Sequence, residues 1–296
     1  MGLMDKLQSL FASKEVDVNL RFDLLSEGLA GTMSKFHRAR DRKTDRIVGL
    51  KICDPEKTAL FESRFKELNK PPEGEIAKSL KHPRIVETYE YGTTTKGQTY
   101  IVMEYVSGVG LHALIRQRDP RLVGCRVNLI QQMAEAIHAV HTAGYIHRDV
   151  CPRNFIVSDD FQSLKLIDFG LTLPDLPAFR QPGNRTGTPM YMAPEIVRRR
   201  PTDRRVDVFA FGVSAYELLA FELPWPHADP SGVGALSHDT DKPVPLLEVR
   251  PGLDPTLAAA ITECLAANRE HRTPSLDAFL RQIRRVEAEE PPQGSP

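Results

Sequence analysis

The spacing of apolar and polar residues changes along the chain, and each change predicts an element. Leu3, Met4, Leu7, Leu10 and Phe11 recur at helical intervals, which predicts a short amphipathic helix in an N-terminal extension, residues 1–21, packed on the body of the protein. From Arg21 to about Met103 the pattern turns strand-like, with the runs IVGLKIC, IVETYEYG and YIVMEYV and a polar turn, TTTKGQ, between the last two. A small antiparallel sheet is expected. Between Glu56 and Leu80, charged residues with Phe61, Phe65 and Leu68 predict helix, broken at Pro71-Pro72 and restarted there.

Beyond Val106, SGVG reads as a flexible joint and the chain becomes helical. Leu129, Met133, Ile137 and Val140 form one stripe, with Gly144 as the helix stop. The run VDVFAFGVSAYELLA is apolar nearly all round, so it predicts a helix buried on every side. Asp207, near its start, must then find strong donors, because an unpaired buried charge is very costly. Proline-rich stretches at 224–230 and 243–255 read as surface loops, and EAEEPPQGSP, residues 287–296, as a flexible tail.

Composition narrows the class. The chain has 296 residues, 41% hydrophobic and 26% charged, values of a soluble globular protein with one large or two modest domains. Basic and acidic residues tie at 39 each. Residues 1–103 hold 18 basic and 15 acidic groups and the remainder 21 and 24, so neither part offers the charge excess of a nucleic-acid binder. Four scattered cysteines, without CxxC spacing, indicate neither a zinc site nor a disulfide framework. No run is long and apolar enough for a transmembrane segment, and the opening MGLMDKLQSLF lacks the parts of a signal peptide. A cytoplasmic location is expected.

Candidate chemistry comes from three groups of residues in a fixed order. His147-Arg148-Asp149 is followed by Asn154, five positions after the Asp, then by Asp168-Phe169-Gly170 and Ala193-Pro194-Glu195. A lone Asp in any of these places reads as a turn or a helix cap. Together, over about Phe22 to Val286, they make the chain resemble the eukaryotic-type serine/threonine protein kinase family, in the soluble form found in bacteria as well as eukaryotes. The resemblance implies an α+β, bilobal protein kinase fold: a small antiparallel N-lobe (22–103) with one main helix, a hinge (104–110) and a larger, mainly helical C-lobe (111–286).

It also implies ATP and Mg2+. Phosphoryl transfer needs phosphates held, charge neutralised and a hydroxyl aligned. By resemblance Asp149 orients or deprotonates the acceptor hydroxyl, and Asn154 and Asp168 supply oxygens to Mg2+. In VGLK, strand alternation puts Gly49 and Lys51 on one face. The matching lysine of the family grips the ATP phosphates and pairs with a helix Glu. Glu73, nine positions before His82, is the expected partner and Glu75 the alternative. Met103 matches the gatekeeper, and Glu104 to Val106 the segment whose backbone meets the adenine edge. Thr188 matches the threonine that braces the catalytic Asp, and Thr186 is the candidate phosphosite, its phosphate pairing with Arg148. Glu195 is expected to pair with Arg272, and Asp207 with the catalytic-loop backbone.

Three places depart from the family pattern. The glycine-rich loop reads LAGTMS, keeping only the middle glycine, Gly31, with Leu29 and Ser34 in the outer places and Gly28 one residue early. Phe36 stands where a valine usually caps the adenine. Cys151 replaces the lysine two residues after the catalytic Asp, and Arg153, four residues after it, is the candidate replacement cation. Arg153 hints at a tyrosine acceptor, whereas Thr188 within GTPMYMAPE favours serine or threonine, on a protein substrate with autophosphorylation at Thr186. The alternative is a pseudokinase, a binding or scaffolding module. The basic cluster Arg198–Arg200 with Arg204 and Arg205 reads as a solvated turn, and His138 with His141 as packing histidines without a third metal ligand.

Overall fold

The computed structural model describes residues 15–31, 33–182, 185–225 and 234–289. The helix expected over Leu3 to Phe11 lies outside them. The chain divides into two compact units, one of Met1–Lys81 with Val86–Val106, the other of His82–Ile85 with Ser107–Pro296. No helix among the described residues is long and apolar enough to cross a membrane.

The first unit is built on a six-stranded sheet of β1 (Phe22–Leu24), β2 (Leu29–Ala30), β3 (Ser34–Asp41), β4 (Arg46–Cys53), β5 (Thr88–Thr93) and β6 (Thr99–Glu104). The order is β1-β3-β4-β6-β5, with β2 on β3, and every pairing is antiparallel. Period-two alternation sorts its side chains. Ala39, Val48, Leu50, Tyr100 and Val102 join Phe22 in a buried cluster against which Val16, Val18 and Ile52 pack. The register places Phe36 opposite Lys51 and Gly49 opposite Met103, so these four share the other face.

The described part of the N-terminal extension is a strap. Val16 donates its N–H to Thr93 O (3.0 Å) and accepts from Thr95 N (3.1 Å), and Asp17 caps the single turn α1 (Val18–Arg21). Arg21 then forks between Asp41 (3.0 Å) and Glu90 (2.6 Å), while Tyr100 donates to Glu90 at 2.5 Å. Bonded to Arg21 and then to Tyr100, the Glu90 carboxyl is held down at about 2.

Helix α2 (Pro55–Glu62) starts at the Asp54 cap with proline in its first turn, passes into a 3-10 segment, Ser63–Leu68, and ends at the left-handed Asn69. After Pro71-Pro72, α3 (Glu73–Ser79) begins. Gly74 brings α3 close to β5: a Cβ there would lie 2.4 Å from Cβ of Tyr91.

In the second unit, α4 (Leu111–Arg116) precedes the long α5 (Arg126–Thr142), whose stripe Leu129, Met133, Ile137 and Val140 is fully buried. Gly144, at φ +84°, ends it in the left-handed conformation. Strands β7 (Val109–Gly110), β9 (Phe155–Val157) and β10 (Leu164–Leu166) form one ladder, and β8 (Tyr145–Ile146) with β11 (Leu173–Pro174) another. The short α6 (Pro194–Val197) leads to α7 (Arg205–Ala220), which is buried on all sides from Val206 to Tyr216. Around it lie α8 (Leu246–Val249), α9 (Pro255–Cys264, capped by Asp254) and α10 (Leu276–Gln282, capped by Ser275).

The expected tail from residue 287 needs correction. Glu289 is buried, pairs with Arg126 (3.1 Å) and Arg250 (3.4 Å), and accepts from Gly124 N. The charge-rich run reads as solvated, yet Arg126 is itself buried over the Phe221 ring and requires a counter-charge. Residues 290–296 lie outside the described ones.

Candidate active site

Within the first unit, Lys51 points its Nζ at Glu73 Oε1, 2.5 Å away, and both side chains are largely buried. Glu75, one residue pair further along the same short helix, is exposed. An ammonium out of water needs its counter-ion, and α3, drawn against β5 at Gly74, supplies it. On the same sheet face, two positions before Lys51, Gly49 leaves room for the Phe36 ring and for Met103.

The hairpin of β2 and β3 pairs Leu29 with Phe36 and closes with Gly31 N on Ser34 O at 2.8 Å. Leu29 is 72% exposed. The displaced Gly28 has its own cause: a Cβ there would come within 2.5 Å of the His37 ring, so that glycine seats a histidine. Further on, Glu104 N–H bonds Glu87 O (2.9 Å) and the Glu104 carboxylate accepts from Glu87 N (2.8 Å). Among the described residues the N–H of Val106 has no backbone partner.

Within the second unit, the loop between β8 and β9 carries His147, Arg148, Asp149 and Asn154. It is held from below by Asp207, fully buried in the first turn of α7, which accepts from His147 N (2.7 Å) and Arg148 N (2.8 Å) and lies 2.8 Å from His141 Nε2. Burial alone would push the Asp207 carboxyl up. The His141 ring, the His147 charge and the Arg148 N–H outweigh it and hold the group below its usual value. So tethered, Arg148 adopts φ +69°, a left-handed conformation rare for a side-chain-bearing residue.

Asp149 is gripped on both oxygens. Thr188 donates both its N–H and its hydroxyl to Oδ1, each at 2.8 Å, and Asn154 Nδ2 donates to Asp149 O (2.7 Å) and Oδ2 (3.2 Å). With its amide nitrogen turned to Asp149, Asn154 has its side-chain oxygen unpartnered among the described residues. Its backbone carbonyl accepts from Ile167 N (2.8 Å), one residue before Asp168. Asp168 takes φ +65° and accepts from Gly170 N at 3.0 Å, while Phe169 is buried edge-on against His147. An amide oxygen and a carboxylate are the hard donors Mg2+ prefers. No cluster of three or more His, Cys, Asp or Glu able to hold a metal occurs among the described residues.

A family model described as a protein kinase domain matches residues 28–282. The chain belongs to the protein kinase domain family. It is 33% identical over 275 residues to serine/threonine-protein kinase pkn3 of Myxococcus xanthus, covering 88% of this chain and 48% of that protein. It is 32% identical over 270 residues to serine/threonine-protein kinase PknB of Mycobacterium leprae, covering 89% and 42%. Serine/threonine-protein kinase PknE of Mycobacterium tuberculosis shares 32% over 247 residues, covering 82% and 42%. The chain thus spans about half or less of the length of these bacterial relatives.

In this kinase domain the departures from the family motifs have visible consequences. Cys151 is 1% exposed, its Sγ 3.6 Å from Thr188 Oγ1, and burial followed by the Asp149 charge pushes its thiol up to about 12. It is therefore neutral and inert. Arg153 is exposed, and its charge acts on the Glu217 carboxyl. Thr186 has its hydroxyl oxygen buried and unpartnered among the described residues, while Arg148, itself buried, bonds Thr202 Oγ1 at 3.3 Å. Glu195 and Arg272 form a buried two-pronged pair at 2.7 and 3.0 Å.

The sequence reading passed over Tyr191 and Glu217. The Tyr191 hydroxyl donates to Glu217 Oε2 at 2.6 Å. Burial raises the Glu217 carboxyl, against the Tyr191 hydrogen bond and the Arg153 charge, and burial followed by Glu217 raises the Tyr191 hydroxyl. A signal was available: after Asp207, Glu217 is the next acid in the apolar run of α7.

Proposed function

We propose that this chain is an active protein kinase that transfers the γ-phosphate of ATP to serine or threonine hydroxyls of protein substrates, with residues 22–286 as the catalytic domain. The observation that carries the reading is the hold on Asp149, whose carboxylate is fixed by Thr188 and Asn154 instead of lying in a collapsed loop. Lys51, oriented by Glu73, binds the ATP phosphates, and Met103 with Glu104 to Val106 and the apolar Leu29, Gly31, Phe36 and Gly49 surface accommodates the base. Asn154 and Asp168 hold Mg2+, which when bound neutralises phosphate charge. Asp149 aligns the acceptor hydroxyl and takes its proton as the new O–P bond forms and ADP leaves.

Arg153 supplies the cation that Cys151 cannot, since a guanidinium stays charged and the buried thiol stays neutral. Thr188 on Asp149 favours a serine or threonine acceptor over tyrosine. Phosphorylation of Thr186 regulates the segment. Its buried hydroxyl means the segment must open before modification, after which a phosphate adds charge for Arg148 to meet. Four cysteines outside any disulfide among the described residues and an ATP-consuming reaction suit the cytoplasm.

Purified chain incubated with Mg2+ and labelled ATP, beside an Asp149→Asn control, tests the reading, with incorporated phosphate mapped by mass spectrometry. Asp149-dependent phosphate on Thr186 or neighbouring hydroxyls is expected. Absence of transfer to itself and to a generic protein substrate, also after an upstream kinase has treated the segment, would leave the scaffold reading in its place.

A further inference from the structure

A histidine sits in the second unit where packing asks only for an apolar ring. His238, in the 3-10 segment Gly234–Asp239, is 1% exposed and lies in an aromatic stack, with the ring of Trp225 at 4.2 Å and that of Phe209, from α7, at 5.6 Å. A phenyl ring would fill that stack and bury no polar atom. Instead Nδ1 lies 2.9 Å from Met192 O, and since a carbonyl only accepts, Nδ1 carries the proton. Nε2 is then bare, buried and without a hydrogen-bond partner among the described residues. Burial holds the ring below its usual pKa, against the Met192 bond and the Asp239 charge, so it is neutral. The fold thus carries the cost of one unmatched buried nitrogen, and the bond to Met192 O is what the histidine adds in return.

Met192 closes the turn that begins at Thr188. Tyr191 N–H bonds Thr188 O at 3.0 Å and Met192 N–H bonds Pro189 O at 3.1 Å, so residues 188–192 form one tight 3-10 turn. Its near end grips Asp149 through Thr188, its middle is tied to Glu217 through Tyr191, and its far end rests on His238. The next residue strengthens the hold: Asp239 takes Arg198, just past α6, in a two-pronged pair at 2.8 and 3.0 Å. We propose that His238 is a positioning residue for phosphate transfer: by fixing Met192 O it sets the 188–192 turn, and with it the Asp149 carboxylate, against the incoming serine or threonine. This rests on the kinase reading of Asp149. The contacts run from His238 to Asp149 without Lys51 or Glu73, so the effect falls on the protein acceptor and spares the nucleotide.

The test measures phosphate transfer by the full chain from labelled MgATP to dephosphorylated casein and to the Asp149→Asn chain as acceptors. Rates are counted per MgADP-binding site, titrated by calorimetry, so that unfolded chain is left out. His238→Phe and His238→Leu remove the donor and keep an apolar filler, whereas His238→Asn keeps an N–H near the Nδ1 position. The first two are expected to lower kcat/KM for the protein acceptor about 10- to 100-fold, the cost of a misplaced reacting group, with the affinity for MgADP unchanged. His238→Asn recovers most of that loss. Equal loss in all three, no loss in the first two, or a fall in MgADP affinity that matches the fall in rate overturns the positioning role and leaves the kinase reading standing. Failure of both donor-free variants to bind MgADP does the same, because it assigns His238 to the fold alone. A wild type that transfers phosphate to neither acceptor overturns both.

Discussion

Asp207 is the anchor of the candidate catalytic loop, and removing it has a consequence that can be sized. Its carboxylate accepts the N–H groups of His147 and Arg148 at 2.7 and 2.8 Å in a fully buried setting. In Asp207→Ala both donors lose their acceptor. Each buried donor left unmade costs about 1–3 kcal/mol, so the pair costs about 2–6 kcal/mol out of a typical total of about 5–15. For a chain this long 1 kcal/mol moves Tm by about 2–4 °C, which predicts a fall of about 4–24 °C. Asp207→Asn keeps the shape and one acceptor oxygen but turns an NH2 toward a donor, so it lies between wild type and alanine.

The measurement is urea unfolding followed by circular dichroism, with phosphate transfer to a generic protein substrate. The turnover number should fall more than the affinity for ATP, because the Lys51–Glu73 pair is untouched. The folded-state pKa of Asp207 is lowered, so its contribution is present above the unfolded value and is lost as pH falls through the folded one. The deficit of Asp207→Asn should therefore shrink below about pH 4. An Asp207→Ala protein that unfolds within about 0.5 kcal/mol of wild type, the range of an ordinary surface change, would refute the reasoning. So would undiminished turnover.

Other substitutions probe other parts. Arg153→Ala is expected to lower turnover about 100- to 1000-fold, the loss typical of one well-placed electrostatic donor, with Tm little changed because the side chain is exposed; unchanged turnover would remove Arg153 from the chemistry. Gly74→Ala places a Cβ 2.4 Å from Cβ of Tyr91, an atom fixed to its backbone, so α3 must shift. The overpacking costs about 1–3 kcal/mol and raises KM for ATP through Glu73; normal stability with normal KM would count against that tight approach. Glu90, held at about 2, stabilises the fold above its unfolded value near about 4.3, and that contribution is lost as pH falls through about 2. Urea midpoints followed from pH 6 down to 2.5 should therefore converge for wild type and Glu90→Gln, and parallel curves would rule this out.

Period and spacing made much of the fold legible. Strand alternation needs only local sterics, so the runs around Val48, Tyr91 and Ile101 were readable as strands of one sheet. The stripe from Leu129 to Val140 and the all-apolar run from Val206 likewise announced helices of two different kinds, one with a single buried stripe and one enclosed. The boundary between units falls after Val106, within the 104–110 stretch, but the short segment His82–Ile85 belongs to the second unit. Nothing periodic marks that exchange, because four residues hold no repeat.

For the site, motif order and the family resemblance it carries brought Asp149, Asn154, Asp168 and Lys51 to notice, and a demand for donors at Asp207 followed from the cost of burying a charge. What the sequence by itself determined was local: which segments alternate, where helices start and stop, and which residue types sit in motif order. Only the tertiary structure decided which partners meet. Tyr191 finds Glu217, Glu289 is drawn in by Arg126, and two glycines exist for the rings of His37 and Phe36. Each is a contact between residues distant in sequence, set by packing and by the cost of leaving a buried charge or a displaced ring unmatched, and no local pattern carries that information.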